Sequence, residues 1–280
     1  MSRALRLPPA LLTGAVLVGL VVLAALTSLV WTPHDPDLVA VPQRFRPPLQ
    51  AGYLLGTDEL GRDELSRLMA GARNTLLVGM VTVVIAIAVG VPIGGLAALF
   101  RGPFEEAAMR ASDVMLAFPA ILLAILFAAV FRPSTLTAMA AIGIAFVPIF
   151  ARVVRSAGLQ VMEQDYVTAA RTFGSGRLWI FWRHLLPNVS SVLIVQATIA
   201  FAVAILAEAA LSYLGLGTPP PTASWGRMLS AAQSYLYQAP ALALWPGVSI
   251  ALAVLGFNLL GDGLRDLLDP RLVERLPNPG

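Results

Sequence analysis

The sequence predicts an all-α membrane protein that crosses the bilayer several times. The 280 residues are 58% hydrophobic and only 12% charged, whereas a soluble domain is roughly half apolar and a quarter charged. The apolar residues also gather into stretches of about 20, the length at which an α-helix crosses the hydrocarbon core. So few charged side chains cannot cover the surface of a soluble domain of this length.

Six stretches have the length and composition of transmembrane helices. They are residues 10–31, 75–100, 112–131, 135–153, 190–212 and 241–261. The first follows two arginines, as a secretory signal does, but its apolar run is longer than a signal core and lacks a small-x-small cleavage site. We therefore expect an uncleaved anchor.

Prolines within or beside the spans predict kinks in the helices. These are Pro92, Pro119, Pro148 and Pro246.

The arginines predict the orientation of the chain. With the N-terminus inside, twelve of the 19 basic residues fall in inner segments and seven in outer segments. Most of the outer arginines lie in one loop, residues 32–74. Because inner loops carry the excess of positive charge, both termini are predicted to be cytoplasmic.

Several chemistries are excluded by composition. There is no cysteine, so disulfides and thiolate metal sites are absent, and all 19 basic residues are arginine. Without lysine there is no G-x-x-x-x-G-K-[ST] nucleotide site. His34 and His184 fall on opposite sides of the predicted membrane, so we expect no histidine metal centre. The arginines are dispersed between spans, which disfavours a nucleic-acid surface.

Residues 154–189 form the longest inner loop, and the pattern predicts two short helices joined at a glycine corner. The first is predicted over Ala157 to Thr172, because Gly174 is a natural helix terminator. The second is predicted to begin near Ser175 or Gly176 and to end before Pro187, because a residue preceding proline disfavours the helical region. The small side chains of Ala169 and Ala170 would let a partner approach the backbone.

This loop resembles the EAA loop of ABC-importer permeases. The family pattern is a glutamate and two alanines, a glycine four residues later, and an apolar segment ending in Leu-Pro. The residues DYVTAARTFG and IFWRHLLP match it, except that Thr168 stands where the family has glutamate and Asp165 is the nearest acid. The resemblance implies a coupling helix that docks in a groove of the ATPase. The candidate coupling residues are Asp165, Ala169, Ala170, Gly174, His184 and Pro187.

Three further segments resemble C-type permease subunits of dipeptide, oligopeptide and nickel importers. They are LGTDELGRDELSR at 55–67, LSYLGLGTPPP at 211–221 and FNLLGDGLRD at 257–266, the last followed by Asp269, Pro270 and Arg271. The resemblance implies the type I ABC importer permease fold. Residues 1–74 would hold the tail, first helix and outer loop, and residues 75–280 the five-helix transmembrane domain.

The resemblance also implies the function and the partners. In a bacterial cell membrane, the chain would form half of a translocation pore with a second, related permease. It would bind two cytoplasmic ATPases and an external solute-binding protein. It would not itself be an enzyme and would bind no cofactor, since ATP and Mg would lie on the ATPases. Dipeptides or oligopeptides are the expected solutes, with nickel or glutathione as the alternative. A transporter driven by an ion gradient is a more remote alternative to an ABC importer, because the sequence lacks paired carboxylates within the spans.

Six more residues are candidates for gating or interface roles. Asp58, Arg62, Asp63 and Arg67 are predicted to form a charged interfacial helix at the entry to the second span; it would contact the solute-binding protein, gate the pore or simply start the span. Glu208 is an ionisable group near the outer end of the fifth span, either functional or reaching the headgroups. Asn258 is predicted to make an interhelical hydrogen bond.

Overall fold

The computed structural model describes residues 8–268, which form ten α-helices and no sheet. The helices are α1 Pro9–Val30, α2 Glu64–Phe100, α3 Pro103–Ala117, α4 Ala120–Phe131, α5 Thr135–Met162, α6 Asp165–Thr172, α7 Arg177–Ile180, α8 Leu186–Tyr213, α9 Trp225–Ala232 and α10 Ala241–Leu268. Short 3₁₀ turns lie at Val41–Gln43 and Gln233–Tyr235, and a π-helical turn at Phe181–Leu185. Arg3, Arg6 and Asp269 to Arg275 lie outside the described residues.

Within residues 8–268, five helices are long and apolar enough to cross a membrane, and a bent pair makes a sixth crossing possible. Five predicted spans correspond to α1, α2, α5, α8 and α10. The third, predicted as one helix over 112–131, is instead α3 and α4, which meet at an angle of 84°. The reason is Pro119: it keeps Phe118 out of the helical region, at φ −93° and ψ 128°.

The other three prolines lie inside long helices. Pro92 is within α2, Pro148 within α5 and Pro246 within α10. Neighbouring helices can satisfy the backbone groups that an intramembrane proline frees. These three helices continue through their prolines, whereas at Pro119 the preceding residue, Phe118, leaves the helical region and the helix breaks.

The core lies where α2 packs along α5, the most buried of the five long helices. Glycines on α2 allow the two backbones to approach closely. A Cβ on Gly90 would lie 2.7 Å from the carbonyl oxygen of Val147, and one on Gly94 would overlap the backbone of Ala151. Phe150 of α5 is completely buried in this contact.

Helix α1 also packs closely against α10 at a glycine. A Cβ on Gly14 would overlap the backbone of Leu259 and Leu260. The outer surface of α1 remains apolar and exposed, with Leu20 and Leu23 about three fifths accessible. Such a surface is normal for a helix that faces lipid.

Helix α2 begins earlier than predicted, at Glu64 instead of residue 75. Asp63 caps it, accepting a hydrogen bond from the backbone N–H of Ser66 at 3.1 Å. The predicted domain boundary after residue 74 therefore falls inside α2. The helix is longer than a bilayer core requires, so its first turns extend into the outer loop.

The predicted helix over 157–172 is also divided differently. Residues 157–162 belong to α5, and the chain breaks at Glu163 and Gln164 before α6 begins at Asp165. No glycine or proline marks this break. It occurs where the chain leaves the buried α5 axis and turns along the surface.

The predicted helix end before Pro187 is wrong. The chain runs from α7 through the π-helical turn directly into α8, where Pro187 is the second residue. In the π turn the N–H of Leu186 donates to the carbonyl of Phe181, five residues back. This wider turn loosens the backbone next to the proline ring, which would otherwise clash with the carbonyl four residues back.

Candidate functional site

The connection between α5 and α8, residues 163–185, forms a compact projection at one end of the bundle. Its central helix, α6, ends at a left-handed glycine, Gly174, with φ +84°. The N–H of Ser175 donates to the carbonyl of Ala170 at 3.0 Å, and the N–H of Gly174 to that of Arg171 at 2.9 Å. This pair of bonds is a Schellman motif, which closes the helix end. The predicted glycine corner at Gly174 is therefore present.

One side chain anchors α6 to the bundle. Val167 is completely buried, while Asp165 and Ala169 are exposed and Ala170 is half-buried. Beyond the helix, Phe173 is 90% exposed. A helix held on one face presents Ala169 and the exposed ring of Phe173 away from the bundle, as a docking helix must.

His184 links α6 to the π turn. Its ring lies 5.4 Å from that of Tyr166 and 5.0 Å from that of Trp179. Its backbone carbonyl accepts a hydrogen bond from the Asn188 side chain at 2.7 Å. His184 therefore acts here as an aromatic spacer between α6 and the start of α8. Pro187 is exposed, just beyond it.

Ion pairs tie this end of the bundle together. Arg155 of α5 donates from Nε to Glu105 of α3 at 2.7 Å, and Arg152 pairs with Asp113. Arg101, at the α2–α3 corner, lies 3.4 Å from Glu163. The partly buried Arg155–Glu105 pair joins α3 to α5, whereas the other two pairs are exposed and contribute little to stability.

The opposite end of the bundle holds a buried charged cluster, which differs from the predicted interfacial helix. Residues 58–62 form a turn, and Asp58 and Arg67 are each only 4% exposed. Arg62 Nε lies 2.7 Å from Asp58 Oδ2, and Arg67 Nε lies 3.6 Å from the same oxygen. Asp58 Oδ1 also accepts from the backbone N–H of Leu60 and of Arg62, both at 2.9 Å. Backbone donors inside the turn favour this fold over a helix.

Asp63 belongs to a second group in the same region. Besides capping α2, it lies 3.4 Å from Nδ1 of His34, whose ring stacks on Tyr53 at 4.7 Å. Predicted as one interfacial helix, the four residues instead divide. Asp58 and Arg62 lie in the turn, whereas Asp63 caps α2 and Arg67 lies within it, as the alternative of a simple start to the second span predicted. Asp58, Arg62 and Arg67 are joined, and Asp63 acts separately as the cap.

Glu208 is buried in α8, 1% exposed. The Ser212 hydroxyl donates to Glu208 Oε1 at 2.6 Å, and the Thr218 N–H donates to the Ser212 oxygen at 3.0 Å. Asn74 of α2 donates to the Thr218 hydroxyl oxygen at 2.8 Å. The carboxylate therefore faces the protein interior and not the lipid headgroups, and its network holds the loop after α8 against α2.

Among residues 8–268, Asn258 makes no interhelical hydrogen bond of the kind predicted. It is exposed on α10, and its side chain has no hydrogen-bond partner within residues 8–268. Across the same residues, no three histidine or acidic side chains lie close enough to hold a metal ion.

A family model described as "Binding-protein-dependent transport system inner membrane component" matches residues 90–274. The chain belongs to this family. The match includes the whole α5–α8 connection and the helices on both sides of it. The permease is therefore a transport component of an ABC importer and not a catalytic subunit, and it is a multi-pass protein of the inner membrane. Membership also implies ATPase and binding-protein subunits as partners.

Named relatives confirm the predicted subgroup of permeases. A putative peptide transport system permease of Brucella suis biovar 1 (strain 1330) is 45% identical over 259 residues, covering 92% of this permease and 87% of that protein. The di/tripeptide permease DppC of Pseudomonas aeruginosa (strain UCBPP-PA14) is 44% identical over 266 residues, covering 93% and 88%. The nickel permease NikC of Escherichia coli (strain K12) is 38% identical over 258 residues, covering 92% and 93%.

A solved structure confirms the predicted fold. The permease resembles a chain of the MetNI methionine ABC transporter in an inward-facing conformation, with a TM-score of 0.61 at 19% identity. The likeness covers 72% of this permease and 96% of that chain. At this identity it shows the fold alone.

Sequence reasoning missed three residues that shape these sites. Val167 is the only branched aliphatic side chain in DYVTAART, and that isolation was a usable signal for an anchor. Asn74 and Thr218 carry the Glu208 network to α2, but they are 144 positions apart. No local pattern connects them.

Proposed function

We propose that this permease forms half of a translocation pore for dipeptides or oligopeptides, and that the α5–α8 connection couples it to ATPase subunits. The observation that carries the coupling role is the geometry of α6. The helix is anchored through Val167, exposes Ala169, and is closed by Gly174. It thus presents a surface of small side chains suited to a groove on a partner.

The connection is built to transmit a displacement of α6 to the membrane helices. Two residues separate α5 from α6, and from Arg177 onward the chain is a continuous helical path to Tyr213. His184 links α6 laterally to that path through its contacts with Tyr166 and Trp179. A push on α6 by the ATPases would therefore move both α5 and α8, which pack against each other in the core.

ATP and Mg in this proposal lie on two partner ATPases, and this chain binds neither. Its lack of lysine supports that assignment, because the phosphate-binding loop of an ATPase needs one. A second, related permease would supply the other half of the pore, since the described helices of one chain pack around a core of apolar side chains. An external binding protein would deliver the solute.

Peptides are the favoured solute because the relatives named for peptide transport are more similar than the one named for nickel. Their identities are 45% and 44%, against 38%. Nickel, or glutathione, remains the alternative. Uptake of a radiolabelled dipeptide and of nickel by cells that express the complete operon would separate the two: dipeptide uptake alone supports the proposal, and nickel uptake alone contradicts it.

The coupling role is tested by Gly174→Trp in the tagged full-length chain. Gly174 has φ +84° and open space around the position of a Cβ, so any other residue strains the turn by about 1–2 kcal/mol and tryptophan adds bulk to the docking surface. We expect the wild type to purify with an ATPase and a second permease, as identified by mass spectrometry. The variant should keep the second permease and lose the ATPase.

Gly52→Trp is the matched control. Gly52 has the same φ, +84°, and equally open surroundings, but it lies in the loop between α1 and α2. This control should keep the ATPase. If both variants or neither lose the ATPase, the coupling role of the α5–α8 connection is contradicted. If the wild-type chain purifies without an ATPase or a second permease, the result would favour the alternative, a transporter driven by an ion gradient.

A further inference from the structure

A basic cavity of about 530 Å³ opens between the α2–α3 corner and the α5–α8 connection. Three arginines line it, one from each neighbouring segment: Arg101 from the corner, Arg171 from the last turn of α6, and Arg177 from the start of α7. Among residues 8–268, Glu163 is the single acidic residue of the lining. Three positive charges and one negative leave the cavity with a net charge of +2.

The arginines are not neutralised by their surroundings. Arg101 lies 3.4 Å from Glu163, but both side chains are more than half exposed, so the pair is weak. Arg177 lies over the Phe100 ring, 4.8 Å from its centroid, which orients the guanidinium without consuming its charge. Arg171 makes no salt bridge within residues 8–268. Guanidinium groups are forked donors that suit phosphate oxygens.

Apolar surface adjoins the charges. The floor includes the buried side chains of Leu99, Met162 and Ile180. In the lining itself, Phe100 is 43% exposed. Leu178, which follows the lining residue Arg177 in the chain, is 62% exposed. A basic cavity beside exposed apolar side chains matches the level at which lipid headgroups meet acyl chains.

We propose that this cavity binds the phosphate of an acidic phospholipid of the inner leaflet. Free phosphate shares the headgroup chemistry but would make no use of the exposed apolar rim. A bound phosphate would bridge Arg101 on the membrane helices and Arg171 on α6, and so stiffen the link between the coupling helix and the bundle. The choice of the inner leaflet rests on the proposed function, which places the α5–α8 connection on the cytoplasmic side with the ATPases.

The test is native mass spectrometry of the full-length chain in non-ionic detergent. Dioleoyl phosphatidylglycerol and dioleoyl phosphatidylcholine, which have the same acyl chains, are titrated separately. We expect the wild type to bind one molecule of phosphatidylglycerol about tenfold more tightly than one molecule of phosphatidylcholine. Arg171→Gln combined with Arg177→Gln should remove this preference, since each arginine near an anionic lipid contributes roughly a fivefold gain in binding.

Arg110→Gln is the matched control, because Arg110 is also an exposed arginine at this end of the bundle but does not line the cavity. It should keep the preference. If the double variant does not yield folded protein, Arg171→Gln alone removes a side chain without a salt bridge and should lower the preference at least threefold.

Three outcomes would overturn the proposal. One is an unchanged preference in the variants. Another is wild-type binding of inorganic phosphate without any preference for phosphatidylglycerol, which would assign the cavity to a free anion. The third is a double variant that keeps its lipid preference but no longer purifies with the ATPase, which would assign the arginines to an acidic side chain of that subunit. The last result leaves the coupling role intact, so the two proposals fail separately.

Discussion

Glu208 is held by hydroxyl groups and not by a positive charge. Within residues 8–268 it takes part in no salt bridge, and its carboxylate accepts from Ser212 at 2.6 Å. Ser212 in turn accepts from the backbone of Thr218, the residue that Asn74 reaches from α2. A buried carboxylate of this kind organises the neighbouring loop, because leaving these polar groups unpaired would be costly.

Glu208→Ala should therefore destabilise the permease by about 1–3 kcal/mol, since it leaves buried hydroxyl groups without an acceptor. Glu208→Gln keeps an acceptor oxygen and should cost less. The measurement is the thermal unfolding midpoint of the full-length chain in detergent. Glu106→Ala is the control, because Glu106 forms only an exposed pair with Arg110 and such pairs contribute at most about 1 kcal/mol. Equal midpoints for the two alanine variants would contradict the structural role of Glu208.

At the scale of single elements, α6 depends on few contacts. It has eight residues, too short to be stable as an isolated helix. Val167 is its only buried side chain, and the Tyr166 ring lies 5.4 Å from the His184 ring. The helix is therefore positioned by tertiary contacts, and its position can change when a partner binds.

Val167→Ser should release α6 from the bundle. The substitution removes apolar burial of about 1.5 kcal/mol and places a hydroxyl in an apolar site. We expect faster trypsin cleavage after Arg171 in the detergent-solubilised chain, and weaker retention of the ATPase. Thr168→Ser, at the exposed neighbouring position, should change neither. Unaltered cleavage in the Val167 variant would mean that other contacts hold the helix.

The π turn before α8 shows why local rules fail at this element. A proline in an apolar run predicts a helix end, yet α8 begins one residue before Pro187 and continues for 28 residues. Packing decides the outcome, because Phe181 and Leu185 of the turn are buried in the core. Burying these side chains favours the wider turn, which accommodates the proline.

At the scale of the whole molecule, the arginine count predicts that the α5–α8 connection and the C-terminus share one side of the membrane. A C-terminal fluorescent reporter should therefore be active in the cytoplasm, and a C-terminal alkaline phosphatase fusion should be inactive there. A fusion within the outer loop at Gly52 should give the opposite pattern. A phosphatase signal from the C-terminal fusion would reverse the orientation and with it the coupling assignment.

Much of the architecture follows from local sequence, and the exceptions share a cause. Five of the six predicted spans are long helices because apolar length is a property of a short stretch. The third span divides at Pro119 into two helices at 84°, and the predicted interfacial helix is a turn closed by Asp58. Both outcomes depend on backbone geometry and on partners that the hydropathy pattern does not report.

The sequence by itself determined that the chain is a multi-pass permease of the binding-protein-dependent family, because apolar stretches and ordered motifs are written in neighbouring residues. Only the tertiary structure decided that Glu208 faces inward, that Asp58 and Arg67 are buried together, and that three arginines from separate segments line one cavity. Those features depend on contacts between residues far apart in the chain. Such contacts exist only after the helices have packed.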